Sequence, residues 1–203
     1  MRHGMRKYVS EGVCMHTSTV HAITTPLESA TARLLRAGDV VRITGHILAA
    51  RDAAHKRLVA CLHAKEPLPV DLHGQVIYYV GPPPARPGRV IGAAGPTTAG
   101  RMDPYTPQLL AEGLSGMIGK GMRSAAVVEA IKQYGVPYFA AVGGAGALLG
   151  EAITSYTVLA WPELGTEALA DMTVVDFPAI VAIDVLGNDI YTMGRKAYQG
   201  VKS

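Results

Sequence analysis

Three cations stand beside glycines or at the ends of strand-like segments: Arg51 in ARDAAH, Arg101 in GPTTAGRMD and Lys120 in GKG. A guanidinium is a planar fork that meets a carboxylate or phosphate with parallel N–H donors, and an ammonium adds a point charge. The loop before Arg101, Gly95 to Gly100, brings the hydroxyls of Thr97 and Thr98 and a run of backbone N–H groups, all suited to an anion. Its glycines have the superficial spacing of a nucleotide P-loop, but Arg101 and Met102 stand where that motif needs Lys and then Ser or Thr, so a P-loop is rejected. The plainer alternatives stay open: a tight turn with a solvent-facing Arg101, and a solvated Lys120 between Gly119 and Gly121.

In RDAAHKR, Asp52 and His55 are three residues apart and share a face of any helix formed there. A carboxylate beside an imidazole fixes its tautomer and raises its basicity, which serves proton transfer. The alternative is an N-cap Asp followed by a first-turn His with no chemical role. His3, His16, His21, His46, His63 and His73 show no ligand spacing and read as surface or strand residues. Cys14 and Cys61 are far apart and lack a CxxC, so no metal site is read, and free thiols in a cytoplasmic protein are expected rather than a disulfide. Taken together, the three cations, the threonines and the Asp52–His55 pair read as half of a site for a small polycarboxylate. The electrophile is missing, so the other half must come from a cofactor or another chain.

The elements that would position these residues alternate between strand and helix. A short helix is expected over Ser29–Arg36 and a strand over VVRITGHIL, with Arg51 just beyond it. The spacing of Ala54, Leu58, Cys61 and Leu62 predicts a helix from Asp52, with Asp52 available as its N-cap. Strands are expected at GQVIYYVG and RVIGAAG, a helix at PYTPQLLAEG, a strand running into a glycine turn at SGMIGKG, and a helix at SAAVVEAIKQYG closed by Gly135. PYFAAVG, SYTVLAW and PAIVAIDVLGNDIY read as further strands and GAGALLGEAI as a helix of small residues. This pattern predicts an α/β domain with a mixed sheet flanked by helices. In such folds ligands meet loops at the carboxyl ends of strands, where Arg51, the Gly95–Arg101 loop and Gly119–Gly121 all fall.

Composition narrows the function classes. The chain has 203 residues, 49% hydrophobic and 17% charged, enough to bury the core of one domain. A net charge of +3 without a long basic run, and 6% aromatic residues, argue against nucleic acid as a partner. The longest apolar stretch, GVPYFAAVGGAGALLG, is too short and too glycine-rich for a membrane span. Residues 1–20 carry three basic residues and one acid with no apolar core, and read as an extension ahead of a domain at 21–203.

Six stretches, GDVVRITGHILAARDAAHKRL, QVIYYVGP, GPTTAGRMDPYTP, GMIGKG, ELGTEA and FPAIVAIDVLGNDIY, occur in an order that resembles one family. It is the beta subunit, or C-terminal domain, of iron-sulfur class I fumarate hydratases and the related L-tartrate dehydratases. The resemblance runs from Thr24 nearly to the C-terminus. It implies a swivelling β/β/α domain that closes over an alpha subunit, in an α2β2 hetero-oligomer. It also implies a 4Fe-4S cluster held by that partner through three cysteines and not by this chain. By motif it makes Thr97 the catalytic base or proton relay, Arg51, Arg101 and Lys120 the substrate carboxylate clamps, and His55 an acid–base group. Asp103 and the following PYTP favour fumarate hydratase over L(+)-tartrate dehydratase. A module that binds dicarboxylates without catalysis is a third reading, against which the joint retention of Arg51, Thr97, Arg101 and Lys120 speaks.

Overall fold

A computed structural model of the chain describes residues 20–85, 87–141 and 145–194. The extension expected at 1–20, apart from Val20, and Cys14 with it, lie outside the described residues. The elements in order are β1 (Val20–Thr24), α1 (Ser29–Ala32), β2 (Val40–Ala49), α2 (Asp52–Ala64), β3 (Val76–Tyr78), α3 (Thr106–Ala111), β4 (Gly116–Gly119), α4 (Ala125–Tyr134), β5 (Tyr138–Ala140), α5 (Gly146–Glu151), β6 (Ile153–Ala160) and β7 (Leu169–Ile183). Two 3-10 turns, Ala99–Met102 and Pro162–Glu167, punctuate the loops.

The strands form one seven-stranded mixed sheet in the order β1-β2-β3-β4-β5-β7-β6. β1 to β5 run parallel, and β7 runs antiparallel to β5 and to β6. β7 also pairs antiparallel with β2 along most of its length, from Ile180 opposite Val40 to Ala170 opposite Ala49. That pairing closes β2, β3, β4, β5 and β7 into a small barrel. Parallel neighbours need long crossover connections, and the helical segments α2, α3 and α4 supply them between successive strands.

Side-chain alternation then sorts the core into two layers. Val76 and Tyr78 of β3 and Ile118 of β4 join Ile43, Ile47, Met172, Val174 and Phe177 in one buried cluster. Ile77, Tyr79 and Met117 face the other way, onto Ala54 and Leu58 of α2, Leu109 of α3 and Val127 and Ile131 of α4. α4 starts where the Ser124 hydroxyl accepts the Val127 N–H and ends at Gly135, whose φ of 68° is the left-handed geometry of a helix C-cap.

The mixed α/β sheet expected from the sequence is present, with differences in detail. RVIGAAG forms no strand; its glycines and alanines carry little to pair or pack in a sheet, and Gly92 instead sits against Pro83 and Pro84. Arg51, not Asp52, occupies the N-cap position of α2, in extended backbone with φ −117°. The last strand starts at Leu169 rather than Pro178 and ends at Ile183, so DMTVVDF belongs to it. Its polar residues hid it from a hydrophobic reading, yet alternate positions there, Ala170, Met172 and Val174, are buried. The expected Ser29–Arg36 helix is limited to Ser29–Ala32.

Candidate functional site

At the carboxyl ends of β3 and β4 the two strands part and a third segment enters between them. Tyr79 still donates its N–H to the Ile118 carbonyl at 2.8 Å. Beyond it, Thr97 N–H donates to the Tyr79 carbonyl at 2.7 Å, Lys120 N–H to the Thr97 carbonyl at 3.3 Å, and Ala99 N–H to the Lys120 carbonyl at 2.8 Å. Thr98 and Lys120 thereby form a parallel bridge. The threonine loop is thus a wedge hydrogen-bonded to both strand ends, and it fixes Thr97 beside Lys120. This holds although the loop does not follow a strand formed by RVIGAA.

The glycines of GKG make the wedge possible. A Cβ on Gly119 would lie 2.7 Å from Tyr79 Cδ2 and 3.1 Å from the Ala99 Cβ, and Gly121 turns the chain with φ +84°. Gly95 and Gly100, which the sequence suggested as the shaping residues, have neither a left-handed φ nor a close neighbour for an added Cβ.

Arg101 leaves the wedge on the Ala99–Met102 turn and meets the start of α2. Its Nη2 lies 2.5 Å from Asp52 Oδ2, and Arg51 Nη2 lies 3.9 Å from the same oxygen. The buried Asp52 Oδ2 makes no aligned hydrogen bond, so these contacts are ion pairs held by charge. Arg51 is also tied to Glu167, with Nη2 to Oε1 at 3.2 Å, and Glu167 Oε2 accepts the Ala53 N–H at 3.1 Å. That carboxylate therefore caps the N-terminus of α2 from the Pro162–Glu167 turn, where the helix leaves N–H groups open and favours negative charge. Among the described residues the Lys120 ammonium makes no ion pair and the Thr97 hydroxyl makes no hydrogen bond. The four residues Arg51, Thr97, Arg101 and Lys120 are thus assembled at one end of the barrel, on segments tied directly to each other.

His55 takes a different place from the one its spacing suggested. The side chain is fully buried, stacked edge-on against Tyr79 at 5.2 Å. Its Nδ1–H donates to the Arg51 carbonyl at 2.8 Å, and Nε2 has no partner. The Asp52 carboxylate is engaged with the arginines, so the hydrogen-bonded Asp52–His55 pair does not form. Burial lowers the imidazole pKa from 6.5 to about 4, against the opposing hydrogen bond to Arg51, and the ring is neutral near pH 7. Of the other described histidines, His46 of β2 pairs with Asp171 of β7 at 2.9 Å, a cross-strand contact.

Sequence reasoning missed Glu167 and Arg123. Glu167 lies in ELGTEA, a stretch whose only signal was its family pattern. Arg123 follows GKG and has a fully buried side chain. It donates from Nε to Asp103 Oδ1 at 2.7 Å and from Nη2 to Thr106 Oγ1 at 2.8 Å, and it lies over the Tyr79 and Tyr138 rings at 5.4 and 5.0 Å. Asp103 Oδ2 also accepts the Ser124 N–H at 2.6 Å.

Two concavities, of about 520 Å³ near Leu27 and His73 and about 740 Å³ near Pro83 and Gly150, lie elsewhere. Neither is lined by Arg51, Thr97, Arg101 or Lys120, and it is chemistry that marks the cation cluster. Among the described residues no three His, Cys, Asp or Glu side chains gather as a metal-binding set, and Cys61 stands alone. These residues do not fit an iron-sulfur cluster. Among them, no helix is long and apolar enough to cross a membrane.

Fumarate hydratase 2 of Leishmania major is 41% identical over 157 residues, 76% of this chain and 28% of that protein. The aerobic class I fumarate hydratase of Escherichia coli is 42% identical over 151 residues, 73% of this chain and 28% of that enzyme. The chain therefore spans little more than a quarter of these relatives. The putative L(+)-tartrate dehydratase subunit beta of Methanocaldococcus jannaschii is 36% identical over 172 residues, 81% of this chain and 88% of that protein. The family model described as Fumarase C-terminus matches residues 7–194, starting inside the stretch read as an extension. With the whole barrel and its cation cluster inside that match, the chain belongs to the fumarase C-terminal family.

Proposed function

We propose that this chain is the substrate-clamping beta subunit of a class I fumarate hydratase, which interconverts fumarate and (S)-malate together with an alpha subunit. The observation that carries this reading is the gathering of Arg51, Thr97, Arg101 and Lys120 at the carboxyl ends of β2, β3 and β4. The fumarate hydratase names of the Leishmania and Escherichia relatives support the reaction, and the match to most of a separate beta subunit supports the two-chain arrangement. A 4Fe-4S cluster, on this reading, belongs to the alpha subunit. The assembly is an α2β2 enzyme of the cytoplasm.

The role of this chain follows from the chemistry of the substrate. Removing water from malate takes a proton from the carbon next to a carboxylate, and negative charge builds on that carboxylate in the transition state. Arg51, Arg101 and Lys120 place fixed positive donors where that charge develops, an effect that grows as closure excludes water. Thr97 handles the proton. A hydroxyl is a weak base by itself, and Thr97 has no hydrogen-bond partner among the described residues, so its activation arises on assembly with substrate and partner. Asp52 balances Arg101 in the open site, and His55 holds the Arg51 carbonyl.

The second reading is L(+)-tartrate dehydratase, giving oxaloacetate, favoured by the match that spans 88% of the archaeal beta subunit. Rates of the two-chain enzyme on fumarate, malate and L-tartrate decide. Preference for fumarate and malate is the expected result. Preference for tartrate moves the assignment to the second reading, and dicarboxylate binding without turnover would make the chain a non-catalytic module.

A further inference from the structure

The geometry points to Glu167 as the residue that positions Arg51, so that the Pro162–Glu167 turn, 116 residues further along the chain, becomes a working part of the substrate clamp. This inference rests on the proposed reading of Arg51 as a carboxylate clamp.

Three observations support it. First, Glu167 is fixed at both oxygens: Oε2 accepts the Ala53 N–H at 3.1 Å while Oε1 lies 3.2 Å from Arg51 Nη2. The pair is only about a quarter exposed, at 21% for Arg51 and 25% for Glu167, so solvent screens it less than a surface pair. Second, the Arg51 side chain runs through a slot. A Cβ on Gly81 would lie 2.6 Å from Arg51 Cδ, 2.9 Å from Arg51 Nη1 and 2.7 Å from the Thr166 carbonyl oxygen. The glycine leaves room for the arginine stem between the end of β3 and the turn. Third, the turn is itself fastened to α2 one helical turn further on, where Arg57 pairs with Glu163 and lies over the Trp161 ring at 5.7 Å.

A long, flexible arginine aimed at a ligand keeps its aim only if something fixes the head. Arg51 Nε is buried without an acceptor, and Asp52 is 3.9 Å away and closer to Arg101. Glu167 is the nearest anion that can hold the head, and it faces Nη2 while the second oxygen anchors it to the helix. The sequence marks this as well, since ELGTEA is one of the stretches that carry the family resemblance yet holds none of the proposed clamp residues.

The test compares Glu167→Gln, Gly81→Ala, Arg51→Lys and the Glu167→Gln/Arg51→Lys double variant in the two-chain enzyme, with malate and fumarate as substrates. Gln keeps one acceptor for the Ala53 N–H and turns an NH2 donor in place of Oε1 toward Arg51, so both the charge and the acceptor facing the guanidinium are lost. Expected are a loss in kcat/KM of about tenfold or more for Glu167→Gln and a similar loss for Gly81→Ala, with no further loss from Glu167→Gln once Arg51 is Lys. Independent, multiplying losses would mean that Glu167 acts through the general fold and would overturn the inference. So would normal kcat/KM in Glu167→Gln alongside an impaired Arg51→Lys. Normal activity in Arg51→Lys would instead defeat the clamp reading itself. The tether is then judged without turnover, from the side-chain 15N resonances of Arg51 in the full chain. They are expected to become motionally averaged in Glu167→Gln, and unchanged resonances would refute the tether whatever the kinetics.

Discussion

Arg123 Nε donates to Asp103 Oδ1 at 2.7 Å, and this pair adds a side-chain tie between the loop that carries Arg101 and the loop that carries Lys120, beside the backbone bonds of the wedge. Asp103 lies two residues after Arg101, and Arg123 three after Lys120. Thr106, Met117, Tyr79 and Tyr138 also surround the guanidinium. Replacing Arg123 by Met leaves the Asp103 carboxylate with the Ser124 N–H and no cation, and losing half of a buried ion pair costs about 3–5 kcal/mol. Urea unfolding should show that loss. Arg123→Lys should recover only part of it, because an ammonium cannot reproduce the fork that reaches Asp103 and Thr106 together. A Met variant as stable as the parent would mean that the pair does not hold the loops.

Arg101 is half exposed and balanced by Asp52 in the open site, at 2.5 Å. Arg101→Ala in the two-chain enzyme should lower kcat/KM by at least about a hundredfold, the scale of removing one preorganised donor. Asp52→Asn removes the anion with which a substrate carboxylate must compete, so KM for malate should fall while kcat changes little. Steady-state kinetics on malate check both, and a raised KM in Asp52→Asn would show that Asp52 aims Arg101 rather than competing for it.

His55 makes stability depend on pH with a definite sign. Its folded-state pKa is lowered to about 4 by burial, whereas the unfolded chain takes up the proton near the ordinary value of 6.5. The contribution of the neutral ring is therefore complete above pH 6.5 and is lost as pH falls from there towards 4, by about 3 kcal/mol in all. Denaturant unfolding at pH 7.5 and pH 4.5 should show the protein weaker in acid. His55→Asn should flatten that part of the slope; an unaltered slope would place its origin in other groups.

Gly119 tests the wedge. A methyl group there collides with Tyr79 Cδ2 at 2.7 Å and presses on Ala99 at 3.1 Å. Gly119→Ala should cost about 1–3 kcal/mol of stability, the usual scale of overpacking, and reduce activity by shifting Thr97 from Lys120. Gly100→Ala meets only the Met122 carbonyl oxygen at 3.8 Å and should do neither. Activity assays and thermal unfolding of the two variants side by side would reveal the contrast, and equal behaviour would count against the wedge.

The placement of Arg51, Thr97, Arg101 and Lys120 at strand ends was legible beforehand, since all four sit in family-like stretches next to strand-forming segments or glycines. Glu167 and Arg123 could not be assigned roles, because each acts through partners far along the chain: Arg51 for the first, and Asp103, Thr106 and Tyr79 for the second. For His55 the helical spacing was right but the partner was not. Its ring turns to the Arg51 carbonyl of the preceding turn, while Asp52 is drawn to Arg101 from another segment.

The sequence alone determined what local interactions decide: the helices from their apolar spacing, and most strands from their branched residues. Tertiary structure decided where β7 begins, how the barrel closes, which strand ends the threonine loop enters, and which carboxylate holds each arginine. Those outcomes depend on register and on distances between segments remote in sequence, and no local preference encodes them: a guanidinium pairs equally well with any carboxylate that the fold brings within reach.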